Sequence, residues 1–188
     1  TLFHDWVDDV NDLLPLTGQL EVPGNIGSGT RAGVRGEITL PLDAIGLANA
    51  RMDASARWQT SSVTDPLTQL QRPLSNERQW GARLELRQDL QAQRLAWGVL
   101  MFSRDSRPQY GLDEIDVGGQ RADLDAFIES RALPGLRVRL TVEDLLRDGE
   151  GRDRQVFAGD RSVEPLAFRE IREQSRARTI TLEVRGDF

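Results

Sequence analysis

Thr30-Arg-Ala-Gly-Val-Arg-Gly-Glu-Ile-Thr-Leu40 alternates with a period of two. Thr30, Ala32, Val34, Gly36, Ile38 and Leu40 share one side; Arg31, Gly33, Arg35, Glu37 and Thr39 share the other. Successive side chains of an extended chain point to opposite faces, so the stretch predicts a strand with one apolar and one charged face. The pattern recurs. Ala48, Ala50, Met52, Ala54, Ala56 and Trp58 alternate with Asn49, Arg51, Asp53, Ser55, Arg57 and Gln59. Trp80, Ala82, Leu84 and Leu86 alternate with Gln79, Gly81, Arg83, Glu85 and Arg87. Leu136, Val138, Leu140 and Val142 alternate with Arg137, Arg139, Thr141 and Glu143, and Ile180, Leu182, Val184, Gly186 and Phe188 with Thr179, Thr181, Glu183, Arg185 and Asp187. Three further segments read as strands on weaker patterns. Arg94–Phe102 is apolar on both sides, Phe127 interrupts the alternation of Ala122–Arg131, and Leu2–Leu14 is ambiguous, since Asp5, Asp8, Asp9 and Asp12 could also share a helix face. The total is eight strands.

Three connections are short: residues 41–46, 89–93 and 132–135. Four are long and polar, roughly 15–28, 62–77, 105–120 and 146–177. Short turns alternating with long loops place all the short turns at one end of an antiparallel sheet. Strands of about ten residues with that loop asymmetry, apolar on one face and charged on the other, are the pattern of an up-and-down transmembrane β-barrel whose charged face lines the lumen. The alternative is a soluble β-sandwich or a self-contained small barrel of lipocalin type, in which the apolar face turns inward.

Composition narrows the chemistry. All 24 positive charges are Arg, against 30 Asp and Glu, for a net charge of −6. Absence of Lys excludes a P-loop lysine and a Schiff base. Absence of Cys excludes thiol nucleophiles, disulfides and cysteine metal sites. The single His, His4, excludes a multi-histidine site within the chain. The acidic balance argues against non-specific nucleic-acid binding. Hydrophobic residues are 38% of the chain. The longest apolar run, Leu95–Phe102, falls far short of the roughly 18 residues of a membrane helix. Thr1 stands first with no leader before it, which reads as a processed chain or the end of a longer one.

Three stretches carry a family resemblance. Thr179-Ile-Thr-Leu-Glu-Val-Arg-Gly-Asp-Phe188 resembles the terminal assembly signal of bacterial outer-membrane proteins, with Ile180, Leu182, Val184 and Phe188 as its apolar positions. Gly24–Leu40 resembles the asparagine, then glycine-glutamate strand block of TonB-dependent receptors. Leu136-Arg-Val-Arg-Leu-Thr-Val-Glu-Asp-Leu-Leu146 resembles the strand and asparagine-leucine-leucine block near their C-termini, with Asp144 where Asn is usual. The order of these blocks spans nearly the whole chain. The resemblance implies the last eight strands of a 22-stranded outer-membrane barrel that imports a solute such as an iron-chelate, cobalamin or a saccharide. It also implies partners: lipid, the barrel-assembly machinery, the missing plug and N-terminal strands, and TonB through that missing region. Eight strands would close on themselves at a barrel radius of about 8 Å, leaving a lumen filled by side chains and too crowded for the arginines expected inside. The fragment reading therefore predicts an open sheet with unpaired edges at Leu2–Leu14 and Thr179–Phe188.

No constellation supports an enzyme, and no cofactor or metal is expected. The aspartates beside His4 lack any fixed ligand geometry and read as a charged strand face. Asp148–Asp153 lacks calcium-loop spacing and reads as a mobile loop. Gly24, Gly27 and Gly29 read as a turn, and Ser61, Ser62 and Ser75 have no base. The candidate functional residues are the charged positions expected to face the lumen, chief among them Arg31, Arg35, Glu37, Arg57, Arg83, Arg137 and Arg139. They read first as salt-bridging of a polar wall and second as attraction for an anionic solute. Trp58, Trp80 and Trp97 are expected at lipid–water interfaces.

Overall fold

The computed structural model describes residues 1–16 and 20–186. Its fourteen strands are β1 (Leu2–Val7), β2 (Asn11–Pro15), β3 (Glu21–Asn25), β4 (Gly29–Pro41), β5 (Ala50–Thr64), β6 (Gln71–Arg72), β7 (Trp80–Leu90), β8 (Leu95–Arg104), β9 (Arg107–Tyr110), β10 (Glu114–Ser130), β11 (Leu136–Glu143), β12 (Glu150–Phe157), β13 (Leu166–Gln174) and β14 (Thr179–Gly186). Eight of them form one antiparallel meander in the order β1-β4-β5-β7-β8-β10-β11-β14. These eight correspond one for one to the strands expected from the period of two.

The registers carry the two-faced pattern across the whole sheet. Leu40, Met52, Leu86, Val99, Ala126, Val142 and Ile180 lie opposite one another in a single row over seven strands. Leu2, Val34, Trp58 and Trp80 form a parallel row nearer the long loops. The opposite face of the sheet carries the charges. Because the side-chain period is two, a slip of one residue in any strand would move its charges onto the apolar side, so each strand's pattern fixes its register.

Burial is inverted relative to a soluble sheet. Trp58 is 55% exposed, Met101 44%, Ile128 48% and Leu182 66%, whereas Gln59, Asp123 and Glu129 on the charged face are each below 5%. Long Arg side chains cover the charged face, and among the described residues no layer packs on the apolar one. Among the described residues the one buried apolar cluster, Val10, Val63 and Leu74 with Val7 and Ile26 against it, lies at the long-loop end rather than beneath the sheet.

Among the described residues β1 pairs only with β4 and β14 only with β11. The sheet is open, so the chain alone forms no closed barrel. Three expectations are corrected. Leu2–Leu14 is two strands, because Asp9 adopts a left-handed φ of 54° and turns the chain out of the sheet into the β2–β3 hairpin. Asp148–Asp153 is no mobile loop: Glu150 begins β12, which pairs with both β10 and β13. The other long connections are likewise built, since β5 and β10 run past the apolar band to pair with β6 and β9. Ile180, Leu182 and Val184 lie on the apolar face in β14, more than half exposed. Phe188, the last position of the assembly signal, lies outside the described residues.

Candidate functional site

All seven charged candidates lie on one face, as their registers require. Arg35 is directly opposite Arg57, and Glu37, Ser55 and Arg83 form the next row. Arg137 and Arg139 lie on β11, opposite Arg185 and Glu183. Arg31 donates to Asp5 at 3.0 Å and to Glu77 at 2.9 Å. The other six candidates divide into two groups separated along the strands.

The first group centres on Glu129, whose carboxylate is almost fully buried. Arg131 donates to it at 2.8 Å, while Arg87, Arg137 and Arg139 lie within 3.9 Å. Four guanidiniums around one carboxylate compensate its desolvation. Phe127, two residues earlier on the same face, lies between Arg139 and Arg87, with guanidinium carbons 3.8 and 5.6 Å from its ring centre. The residue that broke the sequence pattern is therefore part of the charged face, as a platform for cations.

The second group lines a hollow of about 280 Å³ toward the long-loop end. Arg35, Glu37, Arg57 and Arg83 are joined there by Arg104 and Phe102. Arg83 donates to Glu85 at 3.1 Å. Arg57 donates to Gln59 and stands over Phe3. Arg104 was not among the expected residues. Continuing the alternation of β8 two positions past Phe102 places it on the charged face, which was the available signal.

A third arrangement had no sequence signal. At the long-loop end the buried Asp65 accepts from Arg72 at 2.7 Å and from Arg161, and Arg72 also donates to Asp12 at 2.9 Å. Tyr110 lies against both cations, 4.4 Å from the Arg72 guanidinium carbon and 5.9 Å from that of Arg161. Burial on its own would raise the pKa of Asp65. The ion pair with Arg161 and the N–H groups of Thr68 and Leu67 outweigh it and hold the carboxyl below its ordinary value. Burial raises the Tyr110 phenol despite those arginines. This network ties β2, β6, β9 and the β12–β13 connection into one unit.

The remaining candidates separate. Asp5, Asp8, Asp9 and Asp12 are engaged by Arg31, Ser28, Asn25 and Arg72 in turn, and His4 packs on Trp6 with ring centres 4.6 Å apart. Among the described residues no group of His, Asp and Glu could hold a metal ion. Gly24 belongs to β3, and Gly27 takes a positive φ in the turn before β4. Ser61, Ser62 and Ser75 bond to Leu74, Gln71 and Arg72. Trp58 and Trp80 share one row of the apolar face, and Trp97 lies toward the short turns, where its indole N–H donates to Gln88 at 3.0 Å. Comparison with family models, curated proteins and solved structures finds no match to this chain.

Proposed function

We propose that the chain is part of the wall of an outer-membrane barrel, the C-terminal strands of a TonB-dependent receptor that imports a solute such as an iron-chelate, cobalamin or a saccharide. The observation that carries this reading is the exposed apolar face backed by a covered, salt-bridged one. In a water-soluble sandwich or lipocalin-like barrel those burials are reversed. Spacing supports it too. Trp80 and Gln88, the partner of Trp97, are eight residues apart on β7. At about 3.3 Å per residue that is roughly 26 Å of strand, or about 20 Å of height at a tilt of about 40°, which fits within the ~25 Å apolar band bounded by aromatic residues in such barrels.

In this reading the open edges of β1 and β14 pair with the remaining strands of a 22-stranded barrel. Lipid covers the apolar face, and a plug or water meets the arginines. The barrel-assembly machinery inserts the strands, TonB acts only through the N-terminal region, and nucleic acid and cofactors play no part. The location is the cell outer membrane. Fractionation tests this. Secreted in a Gram-negative host, the protein should enter the outer-membrane fraction and resist alkaline extraction; a monodisperse, folded monomer without detergent would contradict the reading.

A further inference from the structure

The most unusual feature of the charged face is a row of like charges. Arg35, Arg57, Gly81, Arg104 and Arg121 are directly opposite one another on five neighbouring strands. Like charges placed opposite each other destabilise a sheet. Elsewhere on this face the arginines are neutralised, and Arg121 itself pairs with Asp123 and Asp144. Arg35, Arg57 and Arg104 have no carboxylate within 4 Å among the described residues. The Nε–H groups of Arg57, Arg104 and Arg121 are buried and have no acceptor, and of the three only Arg121 has carboxylates at its other nitrogens. Each such donor costs free energy until something accepts from it.

The space between them is open. Arg57 and Arg104 flank Gly81 from either side, two strand spacings apart, or about 10 Å. A Cβ on Gly81 would meet nothing nearer than the Ser103 carbonyl at 3.8 Å. The result is the 280 Å³ hollow, with Gly81 on its floor next to Ser55 and Phe102 and with arginines around it. Its one carboxylate is Glu37, so its charge is strongly positive. The excess continues behind it: burial, then the charges of Arg104 and Arg107, lower the pKa of Arg78.

We propose that this hollow is a binding site for a small, water-borne oxyanion carrying several negative charges, a polycarboxylate or polyphosphate, gripped between Arg57 and Arg104 with Arg35 at its side. Guanidinium forks match carboxylate and phosphate oxygens. The volume lies just under the ~300–1,000 Å³ of small-molecule sites. The site faces away from the apolar side, which favours a soluble anion over a lipid headgroup. The proposal goes beyond the barrel-wall reading and holds whatever covers the apolar face.

Arginine footprinting tests it directly. The chain, folded in neutral detergent micelles, is treated with phenylglyoxal alone, with tripolyphosphate, with citrate, with sodium chloride at matched ionic strength, or with phosphatidylglycerol in the micelle, and modified residues are mapped by mass spectrometry. At a soluble anion concentration about ten times its Kd, modification of Arg57 and Arg104 falls roughly tenfold. Arg172 and Arg185, both exposed and ion-paired, keep their rates. Sodium chloride and the lipid give no such selectivity. Gly81→Leu puts a side chain on the floor, its Cβ no nearer to backbone than the Ser103 carbonyl at 3.8 Å, and it abolishes the protection while Arg57 and Arg104 remain. Equal protection of all arginines, protection by lipid alone, or protection that survives both Gly81→Leu and Arg104→Gln would overturn the proposal.

Discussion

Phe127 lies directly across from Gly98 on the charged face, and its ring occupies the space that a side chain at Gly98 would need. A Cβ there would come within 2.5 Å of the ring and 2.6 Å of the Leu86 carbonyl oxygen. Phe3 and Gly33 repeat the arrangement between β1 and β4. Gly98→Ala should therefore destabilise the sheet by about 1–3 kcal/mol, the cost of overpacking. In a Phe127→Ala background the same substitution should cost less but remain unfavourable, because the carbonyl cannot move away. Denaturant titrations of the four proteins in micelles measure the coupling.

Leu84 and Arg83 are adjacent on β7 and point to opposite faces. If lipid covers the apolar face, Leu84→Arg should cost about 2–4 kcal/mol, the penalty for a guanidinium near mid-bilayer. Arg83→Leu removes only an exposed pair with Glu85, worth about 0–1 kcal/mol. Heat-modifiable assembly of the two variants in the outer membrane gives the comparison, and equal defects would count against the face assignment.

The meander was legible because five of its strands alternate cleanly between an apolar and a charged face, so Val34, Leu84 and Leu140 announce their side by position alone, while β8, apolar at both parities, was read from its length and place between them. The hairpins in the long connections were not. Glu150–Phe157 and Leu166–Gln174 carry charge on both faces and are held by pairs such as Arg152–Asp116 and Arg169–Asp153, which leave no period in the sequence. Phe127 looked like an error in the pattern until its cross-strand neighbours supplied cations. The Asp12–Arg72–Asp65–Arg161 network joins residues up to 149 positions apart, and only the assembled loops bring them together.

Asp65 gives the loop end a pH dependence. Its carboxyl titrates lower in the folded chain than the ~3.9 of a free aspartate, so it binds fewer protons folded than unfolded between those values. The stabilisation is fully present above about pH 4 and is lost as pH falls through the folded pKa. Hydrogen exchange in β6 and β9 should accelerate below about pH 4 while β7 and β8 stay protected. Asp65→Asn leaves Arg72 and Arg161 buried without their anion and should open the same segments at neutral pH, at about 3–5 kcal/mol.

Among the described residues, the outer edges of β1 and β14 carry backbone groups with no strand beside them. Amides on those edges should exchange quickly in the isolated chain and slowly in the assembled outer-membrane protein, where neighbouring strands pair with them. Equal rates in both would mean that nothing pairs there.

The central claim is that the apolar face of the sheet meets lipid and the charged face meets water. The sequence contains no Cys, so each single Cys substitution can carry one spin label without background. Ala82, Arg83, Leu84, Glu85, Leu86 and Arg87 on β7 are replaced one at a time, and collision with oxygen is compared with collision with a water-soluble nickel chelate in the membrane-inserted protein. The account predicts a period of two: labels at positions 82, 84 and 86 favour oxygen, and labels at 83, 85 and 87 favour the chelate or are shielded from both. Labels at 82, 84 and 86 that meet the chelate freely, or that neither reagent reaches, would contradict it.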